Sequence, residues 1–79
     1  MTTKYQFHIA QHWNAGDIGC GQLIVGVRSR LGGMRVGELL ELSTQNAGAP
    51  MDLPAWCRMS GHELISAHHP VYVIKKANP

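Results

Sequence analysis

The chain has 79 residues and a mass of 8.7 kDa, the size of one small domain, which excludes a large multi-lobed enzyme. Hydrophobic residues make up 44% of the chain and charged residues 15%, a balance that favours a folded core over a disordered segment. The formal net charge is only +2, so charge gives little support to nucleic-acid binding. We therefore expect residues 1–79 to form a single domain.

No apolar stretch in the sequence is long enough to span a membrane. The amino end alternates polar and apolar residues where a signal peptide would carry an apolar run. Two cysteines, Cys20 and Cys57, are too few for the disulfide framework of a small secreted domain, although one disulfide between them stays open. These features predict a cytoplasmic protein without a membrane segment.

The first element in chain order is predicted to be a strand. Tyr5, Phe7 and Ile9 alternate with polar residues, and the turn-forming residues 14–17 then break the pattern. A helix is predicted next, because apolar residues recur at helical spacing up to the pair Gly32 and Gly33. The apolar positions of this helix are Leu23, Ile24, Val27 and Leu31.

The middle of the chain predicts a short strand, a loop and a second helix. Residues 39–43 are apolar but too few for a helix, so we expect a central strand, followed by a loop over residues 45–50. Asp52 ahead of Pro54 predicts a helix start, since the carboxylate can cap free amides and proline lacks a donor. Gly61 is predicted to end that helix.

The carboxyl-terminal part predicts a hairpin. Residues 63–67 and 71–75 have the composition of strands, and His68, His69 and Pro70 join them. The resulting order β-α-β-α-β-β predicts an α+β fold, a two-layer sandwich of a mixed four-stranded sheet with two helices on one face. The other face of the sheet is expected to be partly exposed.

Four segments of the sequence resemble one known family. The chain reads Gly19-Cys20 at the start of the first helix, Gly37-Glu38-Leu39-Leu40 before the central strand, then Asp52-Leu53-Pro54-Ala55-Trp56-Cys57 and Gly61-His62-Glu63-Leu64. In their order and spacing these segments are similar to the TusA/SirA-like sulfur-carrier family, over Ala15 to Lys76. The resemblance implies a βαβαββ sandwich that transfers sulfur.

The resemblance assigns the central role to Cys20, which matches the cysteine that accepts sulfur as a persulfide. It implies sulfur-donor and sulfur-acceptor proteins as partners, such as a cysteine desulfurase, a rhodanese or a Dsr-like protein, and no cofactor or metal. Arg28 matches a basic position of the family's first helix. The chain departs from the family's Cys-Pro-x-Pro signature, since Gly21 follows the cysteine, and from its acidic-Pro pair, which Thr44-Gln45-Asn46 replaces.

Physical chemistry gives an independent reason to select Cys20. Free amides and the positive dipole end at a helix amino terminus favour a nucleophilic thiolate. Gly19 and Gly21 leave room for a partner protein to approach the sulfur. The alternative is that the glycines serve a tight turn and that Cys20 is a small apolar filler.

Other candidate residues receive structural interpretations. Cys57 is predicted to be a packed, inert thiol within the second helix. A zinc site built from Cys20, Cys57, His62 and a further histidine would lack a closely spaced Cys-x-x-Cys or His-x-x-x-His pair to anchor it. Trp13 either anchors the end of the first strand or flanks the sulfur. The five histidines, His8, His12, His62, His68 and His69, are predicted to be structural or solvated.

Three basic residues, Arg28, Arg30 and Arg35, lie around the end of the first helix. Arg28 is a candidate for docking an acidic partner surface during sulfur transfer.

Three function classes remain open. The first is a sulfur carrier with Cys20 as the acceptor of sulfur. The second class is an interaction module that kept the fold and lost the chemistry. The third is nucleic-acid binding, for which an aromatic, basic sheet face would be needed; its exposed candidates are Gln6, His8 and Glu63. The sequence leaves the oligomeric state open.

Overall fold

A computed structural model describes residues 9–79 of the chain. It contains four strands and two helices in the predicted order β-α-β-α-β-β. The elements are β1 (Ile9–Asn14), α1 (Cys20–Gly32), β2 (Leu39–Ser43), α2 (Ala49–Ser60), β3 (Glu63–His68) and β4 (Val71–Lys75).

The four strands form one mixed sheet in the order β1-β2-β4-β3. β1 pairs with β2 in parallel, whereas β4 lies antiparallel to β2 and to β3. A parallel pair of consecutive strands needs a crossover connection, and α1 supplies it. β2 lies inside the sheet, which confirms the predicted central strand, and the βαβαββ sandwich is confirmed as a whole.

Strand β1 confirms the predicted alternation over its described residues. Side chains along Ile9–Asn14 alternate between half-buried and exposed positions, and the strand ends at Asn14, where the predicted break begins. Tyr5 and Phe7, on which the prediction also rested, lie outside the described residues, as do Gln6 and His8.

Helix α1 packs on the sheet through the predicted apolar stripe. Leu23, Val27 and Leu31 are buried, and Ile24 packs against the core that they form. A Cβ atom on Gly26 would overlap the ring of Trp13, so the missing side chain lets the indole of β1 lie directly on the helix. Gly26 is therefore a packing position.

Helix α2 begins earlier than predicted, at Ala49, so Asp52 is not its amino-terminal cap. The cap is Gly48, and Pro50 occupies the first turn, where its missing amide hydrogen would be unpaired in any case. The predicted loop loses its last two residues to the helix, and Pro54 lies inside it. Asp52 is thereby a residue of the first turn, with its carboxylate free for another contact.

The carboxyl end of α2 is as predicted, because Gly61 ends the helix in the left-handed conformation with φ of 84°. His62 follows, and its ring Nδ1 accepts a hydrogen bond of 3.1 Å from the amide of Ala77. The ammonium of Lys76 is buried and donates to the carbonyl oxygen of Met34 at 2.7 Å. These contacts tie the segment after β4 both to the turn between α2 and β3 and to the connection before β2.

The core lies between the sheet and the two helices. Its largest fully buried side chains come from both layers, namely Tyr72, Leu23, Leu31, Leu40, Leu42, Leu53, Ile74, Val27 and Thr44. Within residues 9–79, neither helix combines the length and the apolar character needed to cross a bilayer.

Candidate functional site

The site lies where both helices begin. β1 and β2 are parallel, so the connections that leave their carboxyl ends emerge at the same edge of the sheet. Cys20 is the first residue of α1, and Gly48 caps α2. The topology thus places the amino termini of two helices, and the loops before them, side by side.

The Cys20 sulfur is half-buried and faces oxygen atoms of the second helix start. Its Sγ donates a hydrogen bond to Oδ2 of Asp52, and Oδ1 of Asn46 lies 3.6 Å away. One thiol hydrogen can serve one acceptor at a time, and the carboxylate is the nearer and the charged one. The Cys20 thiol therefore pairs with Asp52 at rest.

Asn46 holds the two loops of the site together. Its Nδ2 donates to the carbonyl of Ile18 at 2.9 Å, just before α1, and its Oδ1 accepts from the amide of Gly48 at 2.7 Å. Its own amide donates to Oγ1 of the buried Thr44 at 3.1 Å. These bonds fix the start of α1 relative to the start of α2.

Gly48 leaves the space in which the three side chains meet. A Cβ atom at this position would lie 3.1 Å from Oδ1 of Asn46, 3.2 Å from Oδ2 of Asp52 and 3.3 Å from Sγ of Cys20. Each distance is tighter than an ordinary van der Waals contact, so a side chain here would require these atoms to shift by a few tenths of an ångström. The missing side chain of Gly48 lets the thiol and the carboxylate meet without that shift.

The surroundings of Cys20 raise the pKa of its thiol above the ordinary value. The hydrogen bond to Asp52 contributes most, partial burial adds to it, and the negative charge of Asp52 acts in the same direction. These contacts act against the stabilised thiolate that the helix terminus alone would favour. A helix end supplies about half a positive charge, whereas the contacting carboxylate carries a full negative one.

The residues that flank Cys20 leave its outer side open. Gly19 and Gly21 are exposed, and within residues 9–79 a Cβ atom on either of them would meet no atom within 4 Å beyond its own chain neighbours and the adjacent helix backbone. Arg28 and Arg35 are exposed as well. Arg30 differs, because its guanidinium lies 3.8 Å from the centre of the Trp13 ring and it donates to the carbonyl of Gly26 at 3.2 Å.

Trp13 packs on α1 well along the helix from Cys20. It contacts Gly26 and Arg30, which lie later in the helix, and it borders the core cluster. The geometry favours the strand-anchoring interpretation of Trp13 over a position beside the sulfur.

The second cysteine has a different environment. Cys57 is 3% exposed and belongs to the core cluster, and burial raises the pKa of its thiol to about 11. Both cysteines are free thiols. In the described part of the chain, no three His, Cys, Asp or Glu side chains come close enough to share a metal ion.

The described histidines are distributed over separate contacts. His12 pairs with Glu41 at 2.7 Å, and His69 pairs with the hydroxyl of Tyr72 at 2.6 Å. The ring of His62 lies 5.6 Å from the ring of Trp56, centroid to centroid, with the two planes tilted by 36°. Burial, and next the positive charge of Lys76, lower the pKa of the His62 imidazole, so its neutral form is favoured.

The exposed face of the sheet carries a shallow groove of about 330 Å³. Its lining residues are His12, Trp13, Asn14, Glu41, Ser43 and Val71. Glu63 on the same sheet lies 3.9 Å from Lys75. Of the described aromatic strand residues, Tyr72 is buried, and Trp13 borders the groove while it packs against the core cluster and α1. Among residues 9–79 this face therefore carries no cluster of exposed aromatic side chains of the kind that nucleic-acid binding would need.

Asp52, Asn46 and Gly48 were not expected at the site. Asp52 was interpreted as a helix cap, and Asn46 and Gly48 as loop residues. A signal was present in the predicted topology, because a parallel β1–β2 pair places both helix starts at one sheet edge. The side chains in the first turn of α2 are consequently neighbours of any residue that opens α1.

Comparisons with known proteins agree with this arrangement. A family profile described as Sulfurtransferase TusA matches residues 14–76. Over 52 residues the chain is 33% identical to a Bacillus subtilis (strain 168) protein named "Putative sulfur carrier protein YrkF". That stretch is 66% of this chain and 28% of the relative, so the chain spans less than a third of the relative's length.

Proposed function

This chain belongs to the sulfurtransferase TusA family, and from that premise we propose that it is a sulfur carrier whose Cys20 takes up sulfane sulfur as a persulfide. A sulfur-donor protein loads Cys20, and a sulfur-acceptor protein unloads it. The relative from Bacillus subtilis, with "sulfur carrier" in its name, supports the same role.

The observation that carries the proposal is the position of Cys20. Its sulfur is half-buried at the first residue of α1, between two exposed glycines, and a large partner can reach it. Cys57 lies in the core, where no second protein can contact its sulfur without unfolding α2. Of the two thiols, Cys20 alone has the access that transfer between proteins requires.

The proposed transfer is a thiol–persulfide exchange. The Cys20 sulfur attacks the outer sulfur of a donor persulfide, a new S–S bond forms on Cys20, and the donor S–S bond breaks. The donor cysteine leaves as a thiolate and takes up the proton that Cys20 gave away. Delivery to the acceptor repeats the exchange, with the Cys20 persulfide as donor, so the complete cycle needs no external oxidant or reductant.

The departures from the family signature have a structural counterpart. Prolines after the cysteine would restrict the backbone at the start of α1, and here Gly21 and Leu23 occupy the two proline positions. Asn46 supplies a restraint, because its amide group bonds to Ile18 before the helix and to Gly48 at the neighbouring helix start. This bridge supports a functional Cys20 without the prolines.

The proposal assigns partner docking to the exposed side of α1. Arg28 is exposed eight positions after Cys20 and is available to an acidic patch on a donor or acceptor protein. Free thiols suit a reducing compartment, so we place the transfer in the cytoplasm.

Intact-protein mass spectrometry tests the sulfur-carrier role. The wild-type protein, Cys20→Ala and Cys57→Ala are incubated with a cysteine desulfurase and cysteine, and separately with a rhodanese and thiosulfate. We expect one added sulfur atom on the wild type and on Cys57→Ala, removable by a reductant, and none on Cys20→Ala. If neither donor loads the folded wild-type protein, the sulfur-carrier role is wrong and the chain is an interaction module.

A further inference from the structure

The Asp52 carboxylate makes a contact that helix formation does not require. Gly48, not Asp52, caps α2, and the backbone amide of Asp52 bonds to the carbonyl of Gly48 at 2.9 Å. Within residues 9–79, no lysine or arginine forms a salt bridge with Asp52. The nearest polar partner of its Oδ2 is instead the Cys20 thiol.

The side-chain atoms that face the Cys20 sulfur are hydrogen-bond acceptors, which suits a protonated thiol. Two side-chain oxygens face Sγ, from Asp52 on α2 and from Asn46 in the preceding loop. Asn46 is uncharged, and its Oδ1 already accepts from Gly48. Asp52 is thus the charged side chain that faces the sulfur.

We propose that Asp52 is a catalytic residue of the transfer, which holds the Cys20 proton at rest and accepts it when Cys20 attacks a donor persulfide. The inference rests on the proposed function and names the group that controls its first step. It also gives a role to Gly48, since a side chain there would press against both the carboxylate and the thiol.

In this step one proton passes from Cys20 to Asp52 and then to the donor, so no other proton acceptor is needed. As the outer sulfur of the donor approaches, the hydrogen of Cys20 moves to Oδ2 of Asp52, and the sulfur electron pair forms the new S–S bond. The donor S–S bond breaks, and the donor thiolate then takes the proton from the Asp52 carboxyl group. Asp52 ends as a carboxylate, and Cys20 carries the added sulfur.

The resting state predicted by this arrangement is a protected one. A thiol bonded to a carboxylate reacts slowly with small electrophiles, because the thiolate is the nucleophile. The raised pKa of Cys20 has the same direction. The rate at which Cys20 takes sulfur from a docked donor protein is then separable from the rate at which it reacts with a small electrophile, and each rate can be measured by itself.

The experiment uses Asp52→Asn and Asp52→Glu in a Cys57→Ala background, which leaves Cys20 as the single thiol. The pH profile of iodoacetamide alkylation and the rate of sulfur loading from a desulfurase are measured for each protein. Asp17→Asn is the matched control, because it removes an exposed carboxylate near the start of α1 that lies outside the site. Circular dichroism verifies that each variant is folded.

Opposite changes in the two rates are expected for Asp52→Asn. Its alkylation profile moves to lower pH, so alkylation at pH 7 becomes several-fold faster, because the negative charge and the charged acceptor are gone. Its sulfur loading becomes at least about tenfold slower, because the proton acceptor is gone. Asp52→Glu recovers part of the loading rate, and Asp17→Asn matches the background protein in both measurements.

Three results would overturn the inference. An unchanged alkylation profile in Asp52→Asn means that the carboxylate does not hold the proton. Loading that rises together with alkylation means that Asp52 only suppresses the thiolate and accepts no proton during transfer. A background protein that is alkylated but never loads sulfur removes the proposed function, and the inference falls with it; the loading of the background protein thus separates the two failures.

Discussion

The two thiols of this small protein differ in the origin of their raised pKa values. For Cys57 the cause is burial in the core, which raises the pKa to about 11. For Cys20 the main cause is one hydrogen bond to one carboxylate, at a place that solvent and partners can reach. Cys57 belongs to the hydrophobic core, whereas Cys20 belongs to a polar cluster at its edge.

The difference shows how a small fold can keep one thiol inert and another available. The pKa of Cys57 is raised by all the residues that pack around it, so only unfolding of the core would restore easy ionisation of this thiol. The pKa of Cys20 is raised mainly by Asp52, so the transfer of one proton from the thiol to this carboxylate is enough to form the thiolate. Each of the following predictions tests one side of this comparison.

The largest expected difference is in chemical labelling. At pH 8 about a thousandth of a thiol with a pKa of about 11 is ionised, and Cys57 is also only 3% exposed. We expect iodoacetamide to modify Cys20 in the Cys57→Ala protein at least about 100-fold faster than Cys57 in the Cys20→Ala protein. Mass spectrometry of time points measures both rates, and urea at about 8 M should make the two rates similar, because the roughly hundredfold difference between them comes from folding. Comparable rates without urea would contradict the burial of Cys57.

The second prediction concerns stability. Cys57→Ser places a hydroxyl group in the apolar core and should lower the free energy of unfolding by about 1–3 kcal/mol. Cys20→Ser keeps a donor beside Asp52 and should change it by less than about 0.5 kcal/mol. Urea unfolding followed by far-ultraviolet circular dichroism measures both values. If both variants lose the same free energy of unfolding, the two cysteines do not differ in burial as described.

A third, smaller effect appears at alkaline pH. The folded-state pKa of Cys57 lies above the unfolded value of 9.0, so its stabilising contribution is complete below pH 9 and is lost as the pH rises through about 11. The stability advantage of the wild type over Cys57→Ala should therefore shrink between pH 8 and pH 10. Urea unfolding curves of both proteins at these pH values provide the test, and an advantage that grows with pH would contradict it.

The smallest predicted effect lies at the other end of α2, at His62. Its folded-state pKa is lowered from 6.5 by burial and by Lys76, so the stabilisation is present above pH 6.5 and is lost as the pH falls below it. His62→Gln should cost less than about 1 kcal/mol at pH 7.5 and should flatten the loss of stability towards pH 5. Urea unfolding at these pH values measures the effect. The exposed His68→Gln is the matched control, and a loss of the same slope there would assign the effect to another group.

The sequence was sufficient to predict the order of the elements. Apolar periodicity placed α1 and β2, and Gly61 placed the end of α2, because each of these signals is local. The start of α2 was misplaced, since Asp52 and Pro54 form a plausible start signal. Gly48 and Pro50 began the helix earlier, in a turn that Asn46 stabilises through the Gly48 amide.

The candidate site was predictable only in part. Cys20 and its glycines follow from the sequence, but the protonation of the thiol does not. A helix terminus favours the thiolate by a local rule, whereas Asp52 acts on the sulfur from 32 residues further along the chain. Such a contact depends on the parallel β1–β2 pairing, which brings two helix starts together.

The packing of the two tryptophans gives the protein an optical readout of its own. The indole of Trp13 contacts Gly26 and Arg30 on α1, whereas the ring of Trp56 lies tilted against that of His62, just after the end of α2. Trp13 fluorescence therefore reports on the joint between β1 and α1. Trp56 emission reports on the charge of His62, since a protonated imidazole quenches a neighbouring indole. Single-tryptophan variants would thus follow each helix separately, without an added dye.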